Sequence, residues 1–130
     1  MSISETIEQL YRDYENRNLE GIFAAIPDDF CFEWPFDPKL TRYNGMCNCK
    51  EDLLAKLEDM ANNFEFNSYA ATNIIVEGDK AAAQVELNLT SKKTGETFDA
   101  TIAHFWTFED EKPISLVEYM DTALMKHQSN

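Results

Sequence analysis

The chain carries the stretch AAAQVELNLT at residues 81–90, and this stretch decides its fold class. Val85, Leu87 and Leu89 alternate with polar residues, and a repeat of two is typical of a β-strand with one buried face. The turn signal Gly78-Asp79 precedes the stretch, and turns of this composition join antiparallel strands. We expect the neighbouring strands at residues 67–77, 97–108 and 114–123. The second half of the chain therefore predicts a meander of antiparallel strands.

The first half of the chain instead repeats its apolar residues every three to four positions, which is the period of an amphipathic helix. Ser2 and Glu5 have the spacing of a capping box, which predicts the start of a first helix. The apolar face of this helix carries Ile7, Leu10, Tyr11 and Tyr14. A second helix is predicted over residues 19–26, because the same spacing recurs there and Pro27 ends it.

A strand, a loop and a third helix are predicted between these two halves. Phe30, Phe32 and Trp34 alternate with Cys31 and Glu33 and predict a short strand with one aromatic face. Residues 37–45 contain Pro, Asn and Gly and predict a loop. The third helix is expected to be capped by Asn48, with one apolar stripe formed by Leu53, Leu57, Met60 and Phe64.

Three helices followed by a strand meander predict an α+β fold in a single domain over residues 1–130. We expect the sheet to curve strongly and to wrap one face around the helices. Such a cone leaves a cavity between helices and sheet, where ligand sites tend to lie.

The charge balance excludes several classes of function. The chain has 24 Asp plus Glu against 11 Lys plus Arg, a formal net charge of −13. Phosphate backbones and anionic lipids repel such a protein, so we expect neither a nucleic-acid partner nor a membrane partner. Cys31, Cys47 and Cys49 form no CxxC pair and have no His cluster near them, so we expect reduced thiols in a cytoplasmic protein, without a bound metal and without a cofactor.

At this point the sequence resembles a known family. Residues 18–22 (NLEGI), residues 27–35 (PDDFCFEWP), Gly45 and residues 117–121 (VEYMD) are similar, in order and spacing, to the NTF2-like superfamily. The nearest resemblance is to its SnoaL-like branch, which includes polyketide cyclases and relatives of ketosteroid isomerase. The likeness extends over about residues 3–125 and implies a cone-shaped α+β fold with an internal pocket. The fold hosts both enzymes and binding proteins, so function has to be argued from the residues.

The catalytic sets of the known branches are incomplete here. By resemblance, Tyr11 occupies the position of the oxyanion-hole tyrosine of ketosteroid isomerases. Trp34 and Ala103 stand where those enzymes carry their two acids, so steroid isomerisation is not expected. Related epoxide hydrolases need an arginine on the sheet, and related dehydratases need two pocket histidines. Neither requirement is met, because each arginine lies outside the predicted strands and His104 is the one histidine on a strand.

By resemblance, a mainly apolar set of side chains lines the pocket. The pleat of the family's strands points seven of them inward: Phe32, Trp34, Ala103, Phe105, Leu116, Glu118 and Met120. The predicted helices contribute Tyr11, Tyr14, Leu57 and Met60. Glu118 is the candidate general acid or base, because burial raises the pKa of a carboxyl group. Tyr11 is the candidate hydrogen-bond donor beside it. The alternatives are a Glu118 that pairs at the sheet edge, a Tyr11 that belongs to the core, and a Trp34 that packs there rather than stacking on a ligand.

His104 and Asp121 are reserve candidates for catalysis. If Phe105 lines the pocket, His104 faces outward, where relatives dimerise, and Asp121 shares the outer face of Tyr119. A shift of one residue in register reverses these assignments. Two functional hypotheses remain open. One is a lyase, isomerase or cyclase that acts on an apolar or aromatic carbonyl compound with Tyr11 and Glu118, and the other is a non-catalytic module that binds a ligand or a protein. A homodimer through the outer sheet face is expected in either case.

Overall fold

The computed structural model describes residues 2–127 of the chain. In that range the helices are α1 (Ile3–Glu15), α2 (Leu19–Ala25) and α3 (Lys50–Asn63). The strands are β1 (Cys31–Trp34), β2 (Gly45–Cys47), β3 (Phe64–Glu77), β4 (Lys80–Ser91), β5 (Thr97–Glu109) and β6 (Lys112–Met120). A 3₁₀ helix follows over Thr122–His127. Each helix of the described residues is too short or too polar to cross a membrane.

The six strands form one sheet in the order β2-β1-β6-β5-β4-β3. The four long strands, β3 to β6, form the predicted antiparallel meander. Strand β1 joins β6 in parallel, and β2 adds an antiparallel edge that the sequence did not indicate. A strand of three residues is too short to show an alternation in the sequence. No strand is therefore predicted at β2, which begins at the last residue of the predicted loop. The α+β prediction is confirmed.

Two tight turns organise the meander. Gly78-Asp79 joins β3 to β4, and Gly78 has a φ of +59°. Asp110-Glu111 joins β5 to β6, and these residues have φ values of +51° and +65°. Two-residue hairpins need such left-handed conformations, which glycine adopts without strain and which Asn and Asp tolerate. Glu111 in the β5–β6 turn therefore has a backbone conformation that its side chain does not favour.

The ends of the helices agree with the sequence in part. The capping box is confirmed, since the Ser2 hydroxyl accepts the Glu5 N–H at 3.2 Å and the Glu5 carboxylate accepts the Ser2 N–H at 3.1 Å. The predicted Asn48 cap is wrong, because the cap residue of α3 is Cys49, without a side-chain hydrogen bond. Phe64 is the first residue of β3 rather than the last of the helical stripe.

The helices pack on one face of the sheet, and α1 and α3 both contact β3. Irregular register between Phe66 and Ser68 and between Ala71 and Asn73 bends β3, because a bulge increases the local twist and curvature of a strand. The core includes Ile7 from α1, Val85 from β4 and Phe108 from β5, all almost fully buried. The bent sheet and the helices enclose the space in which the candidate site lies.

Candidate functional site

A cavity of about 110 Å³ lies between the helices and the inner face of the sheet. Nine side chains that the sequence assigned to a pocket line it: Tyr11, Tyr14, Phe32, Trp34, Leu57, Met60, Leu116, Glu118 and Met120. Further apolar side chains complete the wall, among them Leu10, Ile22, Phe30, Leu53, Phe66, Leu87, Leu89 and Ile102. The wall is therefore almost entirely apolar, and its few polar groups stand out.

The prediction for the face of β5 is wrong. Ala103 and Phe105 do not line the cavity, and Phe105 lies on the outer face with 51% of its surface exposed. His104 instead faces inward and is only 4% exposed. The family comparison had placed Ala103 and Phe105 inside. The residues themselves favour the opposite, because burying Ile102 and Trp106 removes more apolar surface from water than burying an alanine and a phenylalanine.

The reversal moves His104 from the expected outer surface into the site. In the antiparallel ladder His104 is the direct partner of Glu118, and directly paired residues share one face of a sheet. An inward Glu118 therefore requires an inward His104. Asp121, the other reserve candidate, lies beyond the end of β6, is exposed and does not line the cavity.

The polar groups of the cavity form one continuous chain of hydrogen bonds. Trp106 Nε1 donates to the Tyr11 hydroxyl oxygen at 2.9 Å, and that hydroxyl lies 2.7 Å from His104 Nδ1. His104 Nε2 lies 2.8 Å from Glu118 Oε1, and Trp34 Nε1 donates to Glu118 Oε2 at 2.8 Å. We call this set, from Trp106 through Tyr11, His104 and Glu118 to Trp34, the relay.

The direction of each hydrogen bond in the relay follows from the chemistry of its members. Both tryptophan N–H groups can only donate, so the Tyr11 oxygen and Glu118 Oε2 are acceptors. The Tyr11 hydroxyl hydrogen then has an acceptor within the relay only if His104 Nδ1 is unprotonated. We assign the proton of a neutral His104 to Nε2, which then donates to Glu118, because this tautomer gives the Tyr11 hydroxyl hydrogen an acceptor within the relay.

The tyrosines of the cavity remain protonated in this apolar setting. Burial raises the pKa of Tyr11 well above its usual range, and it raises the pKa of Tyr14 to about 12. Burial also raises the pKa of Tyr69 well above its usual value. All three residues are therefore hydrogen-bond donors at neutral pH rather than bases.

Sequence reasoning did not assign Trp106 and Tyr69 to the site. Trp106 shares the inner face of β5 with His104, so the correct choice of that face would have identified it. Tyr69 lies on β3 directly opposite Leu87 of β4. Leu87 is one of the alternating apolar residues of β4. If the register between β3 and β4 were known from the sequence, Tyr69 would be placed beside Leu87. The two bulges of β3 hide that register from a count of alternating residues.

No group of three or more His, Cys, Asp or Glu side chains comes together as a candidate metal site within residues 2–127. The thiols of Cys31, Cys47 and Cys49 are free. They lie on and after β1 and β2 and do not line the cavity.

Residues 7–115 of the chain match the family model of the SnoaL-like domain. No curated protein sequence matches the chain. The fold is similar to that of an NTF2-like protein of unknown function from Burkholderia pseudomallei, with a TM-score of 0.87, 21% sequence identity, and coverage of 98% of each chain.

Two further solved structures are similar at comparable identity. A candidate SnoaL-like polyketide cyclase from Mesorhizobium loti has a TM-score of 0.77 at 20% identity, over 92% of this chain and 99% of that one. A candidate isomerase from Rhodopseudomonas palustris has a TM-score of 0.77 at 19% identity, over 98% and 96% of the two chains. At these identities the likeness establishes the fold alone.

Proposed function

This chain belongs to the SnoaL-like domain family, and on that premise we propose that it binds a small apolar or aromatic carbonyl compound and transforms it by acid–base chemistry. The reaction is a proton abstraction from the carbon next to the carbonyl group, a step that isomerases, cyclases and some lyases share. No cofactor enters this proposal, because the base and the donors are side chains of the chain itself.

The observation that supports this proposal is the relay in an otherwise apolar cavity. A carboxylate costs several kcal/mol to desolvate unless hydrogen bonds and charges stabilise it. Glu118 receives two such bonds, from His104 and Trp34, and its side chain keeps 13% exposure. A carboxylate accepts about four hydrogen bonds, so two lone-pair positions of Glu118 remain for a proton from a ligand.

Each member of the relay then has a distinct part in the reaction. Glu118 accepts the proton from carbon and can return it to another carbon of the same ligand. His104 holds the Glu118 carboxylate in place and has both of its nitrogens engaged, so it is a positioning residue. Tyr11 donates its hydroxyl hydrogen to His104 Nδ1 and so fixes the tautomer of His104. The apolar wall offers few groups that hold water, so little water competes for the developing negative charge.

Hydrogen–deuterium exchange at the α-carbon of a small ketone tests the proposal. We expect the wild-type protein to accelerate this exchange in cyclopentanone, followed by NMR in D₂O. Glu118→Gln should lower the protein-dependent rate by about 100-fold or more, the usual contribution of a general base. Glu33→Gln is the matched control, since Glu33 lies beside β6 on β1 with its side chain outside the cavity wall. A wild-type rate equal to that of buffer would contradict the proposal.

A non-catalytic binding module is the second candidate function. The observation that favours it is that each polar atom of the relay already has a partner within the protein, so the relay also serves as a satisfied buried network. A module of this kind binds cyclopentanone without accelerating exchange. The same experiment therefore separates the two functions when it is combined with a titration.

We further propose that the protein is a cytoplasmic homodimer. The three free cysteines fit a reducing compartment. Across the outer face of four strands, Ile75, Ala82, Phe105 and Val117 form one apolar row, and the exposed Tyr119 packs edge to face on Phe105 at 5.8 Å. A second copy of the chain is the occupant that we assign to this row. Sedimentation should give a dimer for the wild type and a monomer for Phe105→Glu, and a monomeric wild type would contradict it.

A further inference from the structure

Tyr69 is a buried residue whose hydroxyl group makes no hydrogen bond to any of the residues that the structure describes. Its side chain lines the cavity and is only 9% exposed. Tyr11 differs, because its hydroxyl group is engaged with both Trp106 and His104.

The unpaired hydroxyl of Tyr69 has to border open space. Among residues 2–127, no fully buried side-chain nitrogen or oxygen lacks a hydrogen-bond partner. An unpaired phenol at this depth therefore retains accessible surface, and the open space on the inner face of β3 is the cavity. Because this hydroxyl has no partner among the described residues and borders the cavity, it is an unused donor of the site, available to an acceptor on a bound ligand.

The packing around Tyr69 keeps its ring in one place. The ring lies 4.7 Å from the Tyr14 ring, edge to face, and 6.5 Å from the Tyr11 ring, measured between centroids. A donor that is fixed before binding loses little freedom when a ligand arrives, which increases both affinity and selectivity.

The volume of the cavity limits the size of the ligand. An apolar cavity of about 150 Å³ accommodates benzene, so 110 Å³ admits one small ring rather than two fused rings. The Glu118 carboxylate disfavours a second negative charge in the same apolar space. The ligand that fits is neutral, has one ring and carries one acceptor oxygen.

We infer that Tyr69 is the specificity-determining anchor of the cavity, and that its hydroxyl donates a hydrogen bond to the carbonyl oxygen of a neutral ligand with a single ring. This inference rests on the proposed function, because it names the ligand class of the same site. It also supplies what the relay lacks, namely a donor that can stabilise charge on the ligand oxygen while Glu118 takes the proton from carbon.

Titration with two ligands of matched shape and one larger ligand tests the inference, with the indole N–H signals of Trp34 and Trp106 as reporters of the cavity. Cyclopentanone carries the acceptor, methylenecyclopentane replaces that oxygen with a CH₂ group, and 1-indanone adds a fused ring. We expect wild-type protein to bind cyclopentanone about five-fold or more tightly than methylenecyclopentane, as one hydrogen bond allows. We expect 1-indanone to bind more weakly than cyclopentanone.

Tyr69→Phe should abolish the preference for cyclopentanone and leave the binding of methylenecyclopentane unchanged. Tyr43→Phe is the control, because Tyr43 is also buried but lies outside the cavity wall. An unchanged preference in Tyr69→Phe, tighter binding of 1-indanone, or no binding of any of the three ligands would overturn the inference.

The failure of the inference can be distinguished from the failure of the proposed function. Glu118→Gln should lose α-proton exchange but keep the Tyr69-dependent preference for the ketone. If wild-type protein shows that preference without exchange, the anchor stands and the acid–base proposal fails. If exchange occurs and Tyr69→Phe changes neither exchange nor binding, the anchor fails and the acid–base proposal stands.

Discussion

Replacing Tyr11 by phenylalanine tests the relay directly, because it removes one oxygen atom and two hydrogen bonds. Trp106 Nε1 loses its acceptor at 2.9 Å, and His104 Nδ1 loses its donor at 2.7 Å. Both partners stay buried, at 7% and 4% exposure. A buried polar group left without a partner costs about 1–3 kcal/mol. Water in the cavity can replace part of the lost hydrogen bonds, so the substitution should lower the free energy of unfolding by about 2–4 kcal/mol.

Urea unfolding followed by tryptophan fluorescence measures this cost, since both Trp34 and Trp106 are buried reporters. With a urea dependence of about 1.5–2 kcal/mol per molar, the midpoint should fall by about 1–2 M. Tyr69→Phe is the matched control. It removes the same atom from a tyrosine of the same cavity without breaking a hydrogen bond, so its free energy of unfolding should stay within about 0.5 kcal/mol of wild type. Equal midpoints for the two variants would show that the Tyr11 hydrogen bonds do not stabilise the fold.

Two further predictions concern the stability of the fold. Raising the pH should destabilise it from about pH 10 upward, because burial raises the pKa of Tyr14 to about 12 and raises that of Tyr11 and Tyr69 as well. The stabilisation by the neutral tyrosines is complete below the unfolded-state pKa and is lost as the pH approaches the folded-state pKa. A urea midpoint that stays constant over this pH range would contradict the prediction. Glu111→Gly should raise Tm by about 3–5 °C, since the left-handed residue at the β5–β6 turn then loses about 1 kcal/mol of strain. Glu109→Gly, in the adjoining strand, should lower Tm, and a Glu111→Gly variant that melts no higher than wild type would exclude this explanation.

The sequence predicts most of the fold because alternation and helical period report on local burial. Val85, Leu87 and Leu89 are all buried as their spacing predicts, and the capping box of Ser2 and Glu5 forms as written. Strand β2 and the Cys49 cap are exceptions, because a strand of three residues and a cap without a side-chain bond leave no pattern to detect.

The site is less predictable because it depends on which face of one strand points inward. The inward face of β6 follows from its own residues, since Leu116, Glu118 and Met120 all line the cavity. On β5 the resemblance to the family indicates that Ala103 and Phe105 face inward, whereas the apolar pattern favours Ile102 and Trp106. The structure agrees with the apolar pattern. Since antiparallel pairing couples the two strands, the inward Glu118 already determined where His104 lies. The physical constraint between strands was thus more informative than resemblance to distant relatives.

Measuring the protonation of the two His104 ring nitrogens is the sharpest test of the relay. The relay requires a neutral ring with the proton on Nε2, which donates to Glu118, and a bare Nδ1, which accepts from Tyr11. Nitrogen-15 NMR of histidine-labelled protein at neutral pH distinguishes the two ring nitrogens, with His104→Asn to assign the signal. We expect a protonated Nε2 and an unprotonated Nδ1, and we expect the nitrogen-15 shifts of both to change in Tyr11→Phe. A doubly protonated ring, a proton on Nδ1, or a signal insensitive to Tyr11 would contradict the relay.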